Sequence, residues 1–149
     1  MAWLRTTIAG LTLALLCGCG PDETTRTHDG LVGIWLGQGQ PGDARNIAYL
    51  INFKNDGTFT SNYREYAGCA ITQDHTETGT WSVNDNVQEI VTKLVDGREA
   101  NFVNTYVIER LTATEHDAKM QNEAYVAKVK RVSAFEFPAC TEGNGEPGK

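Results

Sequence analysis

Asn46-Ile47-Ala48-Tyr49-Leu50-Ile51-Asn52-Phe53-Lys54-Asn55-Asp56-Gly57-Thr58-Phe59-Thr60-Ser61-Asn62-Tyr63 is the passage on which the fold turns. Ile47, Tyr49, Ile51 and Phe53 occupy every second position, and a spacing of two places side chains on one face of an extended strand. Asn55-Asp56-Gly57 then interrupts the pattern with residues that tolerate positive φ, the chemistry of a tight turn. Beyond it Phe59 and Tyr63 alternate with Thr58, Thr60 and Asn62. Two alternating runs joined by so short a gap form an antiparallel hairpin.

The same grammar extends in both directions. Residues 76–83 set Trp81 and Val83 against a row of Thr76, Thr78, Thr80 and Ser82. Residues 87–95 carry Val87, Val91 and Val95 with Ile90 and Leu94 on the other parity, so both faces hold apolar groups. Residues 100–111 offer Phe102, Tyr106 and Ile108 against Val103, Thr105 and Val107, and residues 123–137 read as one long strand with Tyr125, Ala127, Val129, Phe135 and Phe137 facing one way. Such β-branched and aromatic runs suit a pleated, half-buried surface. Asn84-Asp85-Asn86 and Asp96-Gly97 are further turn sequences, and Glu115-His116-Asp117 is a polar break. With residues 31–37 as a first strand and residues 118–121 as a short seventh, about eight hairpin-linked strands result. No run of ten residues from Gly33 onward shows a helical stripe. The expected fold is all-β, an eight-stranded antiparallel up-and-down barrel, because closure removes exposed edges. A two-sheet β-sandwich of the same strands is the alternative.

Gly33-Ile34-Trp35 at the first strand resembles the Gly-x-Trp signature of the lipocalins and the wider calycin barrels. The order that follows is similar to small bacterial lipocalin-like lipoproteins: Ile51 to Phe59, then Gly79-Thr80-Trp81-Ser82-Val83, then Tyr106 to Leu111, then a late turn and a last strand. The resemblance covers residues 31–137. It implies a barrel able to hold a small apolar or amphipathic ligand; the family's Arg at the last strand has no clear counterpart, Arg131 being the residue that could stack on Trp35 in that role. The family's downstream Thr-Asp-Tyr type motif has no clear counterpart. Gly33, Trp35, Gly79 and Trp81 are read as structural, since a buried Trp with a Gly allowing close approach is core chemistry in such folds.

The first thirty residues carry an address. One positive side chain, Arg5, precedes an apolar run over residues 8–16, too short for the ~20 residues that span a bilayer. Residues 1–18 read as a signal peptide. Leu16-Cys17-Gly18-Cys19 resembles the bacterial lipobox, with Cys19 the thiol that receives the lipid and more than one acyl chain giving stable anchoring. Cys17 departs from the usual small residue there, and a site ending at Leu16 fits worse because Leu16 is bulky. Gly20, rather than Asp, follows, which favours the outer membrane in an organism that has one. The expected location is the cell envelope, lipid-anchored and facing periplasm or surface. Residues 19–30 are read as lipidated Cys and flexible tether, residues 31–140 as the folded domain, and residues 141–149 as a disordered tail.

The formal charge of the chain is −6, and loss of Arg5 with the signal would make it −7. An acidic domain without a basic run argues against nucleic acid and against electrostatic attachment to anionic lipid. Cys69 and Cys140 are the pair left after Cys17 and Cys19, a disulfide candidate in an oxidising compartment. His28, His75 and His116 lack ligand spacing and no CxxC occurs, so neither a metal nor another cofactor is expected.

Catalytic patterns are missing. Ser61, Ser82 and Ser133 sit in no Gly-x-Ser-x-Gly elbow, and no phosphate loop or dinucleotide fingerprint occurs. Asp74 and His75 fall in an expected polar loop. Glu77, Glu89 and Glu109 lie on different strands and would act as a pair only if the register brought two together. An enzyme is unsupported. Two functions remain: a binding barrel whose ligand meets Tyr49, Phe53, Phe59, Tyr63, Phe102 and Tyr106, or an envelope protein-interaction or inhibitor module with a filled barrel, using residues 21–30 and 37–44 as contact elements.

Overall fold

A computed structural model of the chain describes residues 23–39 and 46–140. A short helix, α1 (Glu23–Leu31), precedes β1 (Gly33–Gln38), β2 (Asn46–Phe53), β3 (Thr58–Ala67), β4 (Ala70–Asn84), β5 (Val87–Val95), β6 (Arg98–Leu111), β7 (Glu115–Met120) and β8 (Val126–Val132). Each strand pairs antiparallel with the next, and β8 pairs back onto β1 through Trp35 opposite Arg131. The sheet is a closed eight-stranded up-and-down barrel, not a sandwich.

The alternation in the sequence becomes an inside and an outside. Across β1, β2 and β3 the register sets Trp35, Ile51 and Ser61 in one row and Gly37, Tyr49 and Tyr63 in the next, all facing inward. The hairpin turns fall where Asn, Asp and Gly predict them. Asp56 Oδ1 accepts from the Thr58 amide at 2.9 Å and its hydroxyl at 2.6 Å, while Asp85 and Asp96 take φ of 54° and 49°. Gly79 lies at a β-bulge, and a Cβ there would collide with the Val91 carbonyl oxygen. The required residue is therefore the one present.

One end of the barrel is shut. Trp35 is wholly buried there and donates from Nε1 to the Leu31 carbonyl at 2.7 Å. The guanidinium of Arg131 lies 4.2 Å over the Trp35 ring. The same side chain donates to three carbonyls: Ala113 at 2.8 Å from Nε, Val32 at 2.7 Å from Nη1, and Gly30 at 2.5 Å from Nη2. Arg131 thus ties α1, β1 and the β6–β7 turn together, and a cation at the C-terminus of a helix also favours its dipole. Gly33, at φ +134°, makes room for that guanidinium, since a Cβ would strike Arg131 Nη1. Beside this clasp, Trp81 stacks on His28 at 4.7 Å, lies 5.0 Å from Phe53, and donates to the Lys54 carbonyl at 3.0 Å.

Several expectations are corrected. Residues 23–30, expected as tether, form a helix with Leu31, which no sequence pattern announced because Leu31 is its single buried residue. The helix is set by the barrel end: Leu31 inserts into the core, His28 stacks on Trp81, and Thr24 pairs with Asp85. The first strand accordingly begins at Gly33, after the helix, and not at Leu31. Glu115-His116-Asp117 is not a break but opens β7, with His116 inward and 4 % exposed. The last strand ends at Val132, because Arg131 is clamped at the shut end and the chain must leave the barrel there.

Residues 133–140 then return along the outside. Phe137 lies over the Arg64 guanidinium at 4.4 Å, and Cys140 is bonded to Cys69 in the β3–β4 turn, at the opposite end of the barrel. Ala48 and Leu50 point outward by register beside Arg64 and Asn62, yet both are fully buried, as a strap across this face requires. Residues 1–22, 40–45 and 141–149, with the signal, Cys19 and the expected tail, lie outside the described residues.

The clasp generates a prediction. Arg131→Lys keeps the charge but loses the fork and the flat face over Trp35. It should lower unfolding stability by about 2–3 kcal/mol, read from urea titrations of both proteins. An unchanged midpoint would mean that the three carbonyls do not depend on Arg131.

Candidate functional site

Above the plug the barrel keeps a partly open cavity of about 80 Å³. Its apolar floor comes from Ile51 and Phe53 of β2, Ile90 of β5, Ala118 of β7, and Ala127 and Val129 of β8. Tyr49, Tyr63, Tyr106 and Tyr125 line it too, and Gln88 and His116 bring polar atoms. The space is about half of the ~150 Å³ that accommodates a benzene ring. A volume of this size suits one narrow end of a ligand and not a whole drug-sized molecule.

The tyrosines form a connected set. Tyr49 and Tyr63 stack with centroids 5.5 Å apart, Tyr63 stacks on His75 at 4.9 Å, and the Tyr49 and Tyr125 hydroxyls are 3.4 Å apart. Burial holds the Tyr49 and Tyr63 phenols well above their ordinary pKa, helped by Tyr125 for the first and by Glu77 for the second. Tyr106 is pushed up to about 12, again first by burial and then by Tyr125 and Glu77. All three remain neutral hydroxyls, able to donate and to accept.

Two other lining groups are unsatisfied. Gln88 Nε2 and both ring nitrogens of His116 are buried without a hydrogen-bond partner. Each such orphan costs roughly 1–3 kcal/mol, and native proteins retain few of them outside sites with a purpose. Burial drops the His116 pKa to about 4, with Asp117 pulling weakly the other way, so the ring is neutral and offers one donor and one acceptor to the cavity.

The expected ligand residues separate accordingly. Tyr49, Phe53, Tyr63 and Tyr106 line the cavity. Phe59 is 2 % exposed but packs in the core beside Phe53 and Gly79, outside the lining. Phe102 shares the face of Thr92 by register but is 47 % exposed near the β5–β6 turn, so it does not line the cavity. Trp35 and Trp81 are core and plug. Asp74 and His75 lie in β4 and not in a loop, on opposite faces, with Asp74 paired to Arg64 outside and His75 against Tyr63 inside. Glu77 faces inward while Glu89 and Glu109 are exposed, so no carboxylate pair forms among them. Of the contact elements, residues 23–30 are helix, residues 37 and 38 end β1, and residues 21, 22 and 40–44 lie outside the described residues. Among the described residues no group of His, Cys, Asp or Glu has metal-binding geometry.

Sequence reading missed Gln88, His116 and Tyr125. Tyr125, just before β8, was on the correct face of the expected run 123–137, and alternation with Ala127 and Val129 could have found it. Gln88 was hidden because β5 reverses the usual polarity: Gln88 and Thr92 face in, at 2 % and 1 % exposure, while Val87 faces out at 38 %.

The buried, neutral His116 sets a pH dependence. The unfolded chain binds a proton near pH 6.5 that the folded chain takes up only near pH 4, so stability is complete above pH 6.5 and falls as pH drops towards 4. The loss approaches about 3 kcal/mol, and in His116→Phe the fall over this window should disappear. Thermal melts from pH 7 to 4 check this, and a parallel fall in both proteins would contradict it.

No curated protein matches the chain. The family model described as a lipocalin-like domain matches residues 31–115, from the end of α1 through six strands to the first residue of β7. That span is more than half of the sequence and contains the Gly33-Ile34-Trp35 plug and much of the cavity wall, so the chain belongs to the lipocalin-like domain family.

Proposed function

We propose that this protein is a lipid-anchored envelope binding protein that takes a small amphipathic ligand end-on. The narrow apolar part of the ligand enters the barrel and its polar part stays among the tyrosines. The observation that carries this reading is the cavity with its orphaned Gln88 and His116 atoms. A barrel filled only for stability would place apolar atoms there. Membership of a lipocalin-like family supports it, since closed barrels of eight strands have room for one small ligand. The anchoring part rests on the reading of residues 1–19 as signal and lipidation site.

A second reading, a protein-interaction module, has its own observation. On the outer surface of β5 and β6, Val87 and Val103 are 38 % and 56 % exposed, and Val103 stands opposite Val91. A partner's apolar surface would suit that stripe.

Two measurements separate these claims. Native mass spectrometry of the purified protein should show a bound small molecule that denaturation releases and that Ala118→Leu, which fills the cavity, excludes. A bare mass in both proteins would move the reading to the interaction module. Radiolabelled palmitate should enter the wild-type chain and not Cys19→Ser, and equal labelling would overturn anchoring at Cys19.

A further inference from the structure

We propose that the ligand is a small organic amine, with its ammonium group at the Glu77 carboxylate among the tyrosine faces and its short apolar tail in the cavity. This inference rests on the small-ligand reading above and gives it a chemistry.

Glu77 is an unusual residue to find inside a barrel. It sits opposite Ser61 on β3, facing inward, and its side chain is 18 % exposed. Thr92 Oγ1 donates to Oε2 at 3.2 Å, and His75 Nε2 lies 3.4 Å from Oε1. Among the described residues the His75 ring is the basic group beside it, a cation only when protonated, and no lysine or arginine forms an ion pair with it. A carboxylate has about four lone-pair positions, so these two neighbours leave acceptor capacity unused. A carboxylate partly withdrawn from bulk water gains from a compensating cation or further donors.

The surroundings are suited to a cation. His75 stacks on Tyr63, and Tyr63 on Tyr49, so the π faces nearest Glu77 continue into the cavity. Ring faces are electronegative and attract ammonium groups. Glu77 stands outside the cavity lining, but its field reaches two of the lining rings, since it helps raise the Tyr63 and Tyr106 pKa values. The neutral His116 adds no positive charge in the cavity lining. An anionic head such as a fatty acid carboxylate would meet a like charge here, whereas an ammonium would meet an opposite one. The cavity of about 80 Å³ then sets the tail at a few carbons.

The test compares n-pentylamine, n-pentanol and pentanoate on the purified protein, by calorimetry and by the tyrosine ring signals in NMR spectra. Pentylamine should bind at least tenfold tighter than pentanol, with pentanoate weakest. From propylamine to pentylamine each methylene should tighten binding about fourfold until the cavity is full. Glu77→Gln should remove the preference for the amine and leave pentanol unchanged. Pentanol or pentanoate binding as tightly as the amine, or an amine preference that survives Glu77→Gln, would overturn the amine assignment while leaving the small-ligand reading intact. Because the wild-type comparison needs no variant, a misfolded Glu77→Gln would not rescue the idea. Binding of none of the three would overturn the amine assignment by itself, and a bare native mass as well would remove the small-ligand reading beneath it.

Discussion

The structure depends first on the clasp of Arg131 on Trp35. A barrel of eight strands has two open ends, and each exposes core to water unless something covers it. Here one guanidinium lies on the face of the plugging indole and holds carbonyls from α1, from the chain leading into β1 and from the β6–β7 turn. The fixed planar fork of arginine fits several acceptors at once, which a lysine ammonium on a flexible stem does not. Closing the sheet between its first and last strands and sealing its end are therefore one event, since Trp35 and Arg131 are also register partners in the β1–β8 pair.

Sealing one end makes the barrel polarised along its axis. The shut end is filled by Leu31, Trp35, Phe53, Phe59 and Trp81, with both indole N–H groups satisfied by carbonyls. Further along, the inward positions turn to Tyr49, Tyr63, His75 and Glu77, while His116, its ring 5.7 Å from that of Trp35, and Gln88, one residue in from the β4–β5 turn, border the plug. Stability alone would not select that gradient, because each buried polar group lacking a partner works against folding. The rigid plug supplies the stability that lets the cavity beside it hold unsatisfied groups, the usual arrangement in which a scaffold carries a locally unfavourable site.

The fold was legible because six extended runs, most of them alternating, were punctuated by Asn, Asp and Gly, and with a first and a seventh strand counted in, a closed barrel is the simplest way to pair them. The Trp35–Arg131 contact was legible only as one candidate pairing suggested by family resemblance, and the Cys69–Cys140 bond through elimination of the other two cysteines. The site was legible only in part. Tyrosines are large and apolar enough to mark inward faces, so Tyr49, Tyr63 and Tyr106 stood out. Gln88 and His116 did not, because polar residues signal the outside unless register is known, and register in β5 is set by two bulges. The helix was invisible for a related reason: it buries Leu31 and little else, and its contacts with Trp81 and Asp85 bridge more than fifty positions.

The disulfide and the strap complete the same logic from the outside. Cys69 lies in the turn joining β3 and β4, and those two strands carry Tyr63, His75 and Glu77. The bond closes a separation of 71 residues, which on the chain-entropy model stabilises by about 4 kcal/mol. Its placement matters as much as its size. Residues 133–140 leave the barrel at the shut end and are fixed at the other, with Phe137 over Arg64 along the way. Arg64 is itself held by Asp74 across the β3–β4 pair at 3.0 Å. The outer face of the hairpin is thereby fixed by a covalent bond and an ion pair. A strand held on its outer face cannot rotate its inner face, so the His75–Tyr63–Tyr49 stack keeps its geometry without a second apolar core to support it.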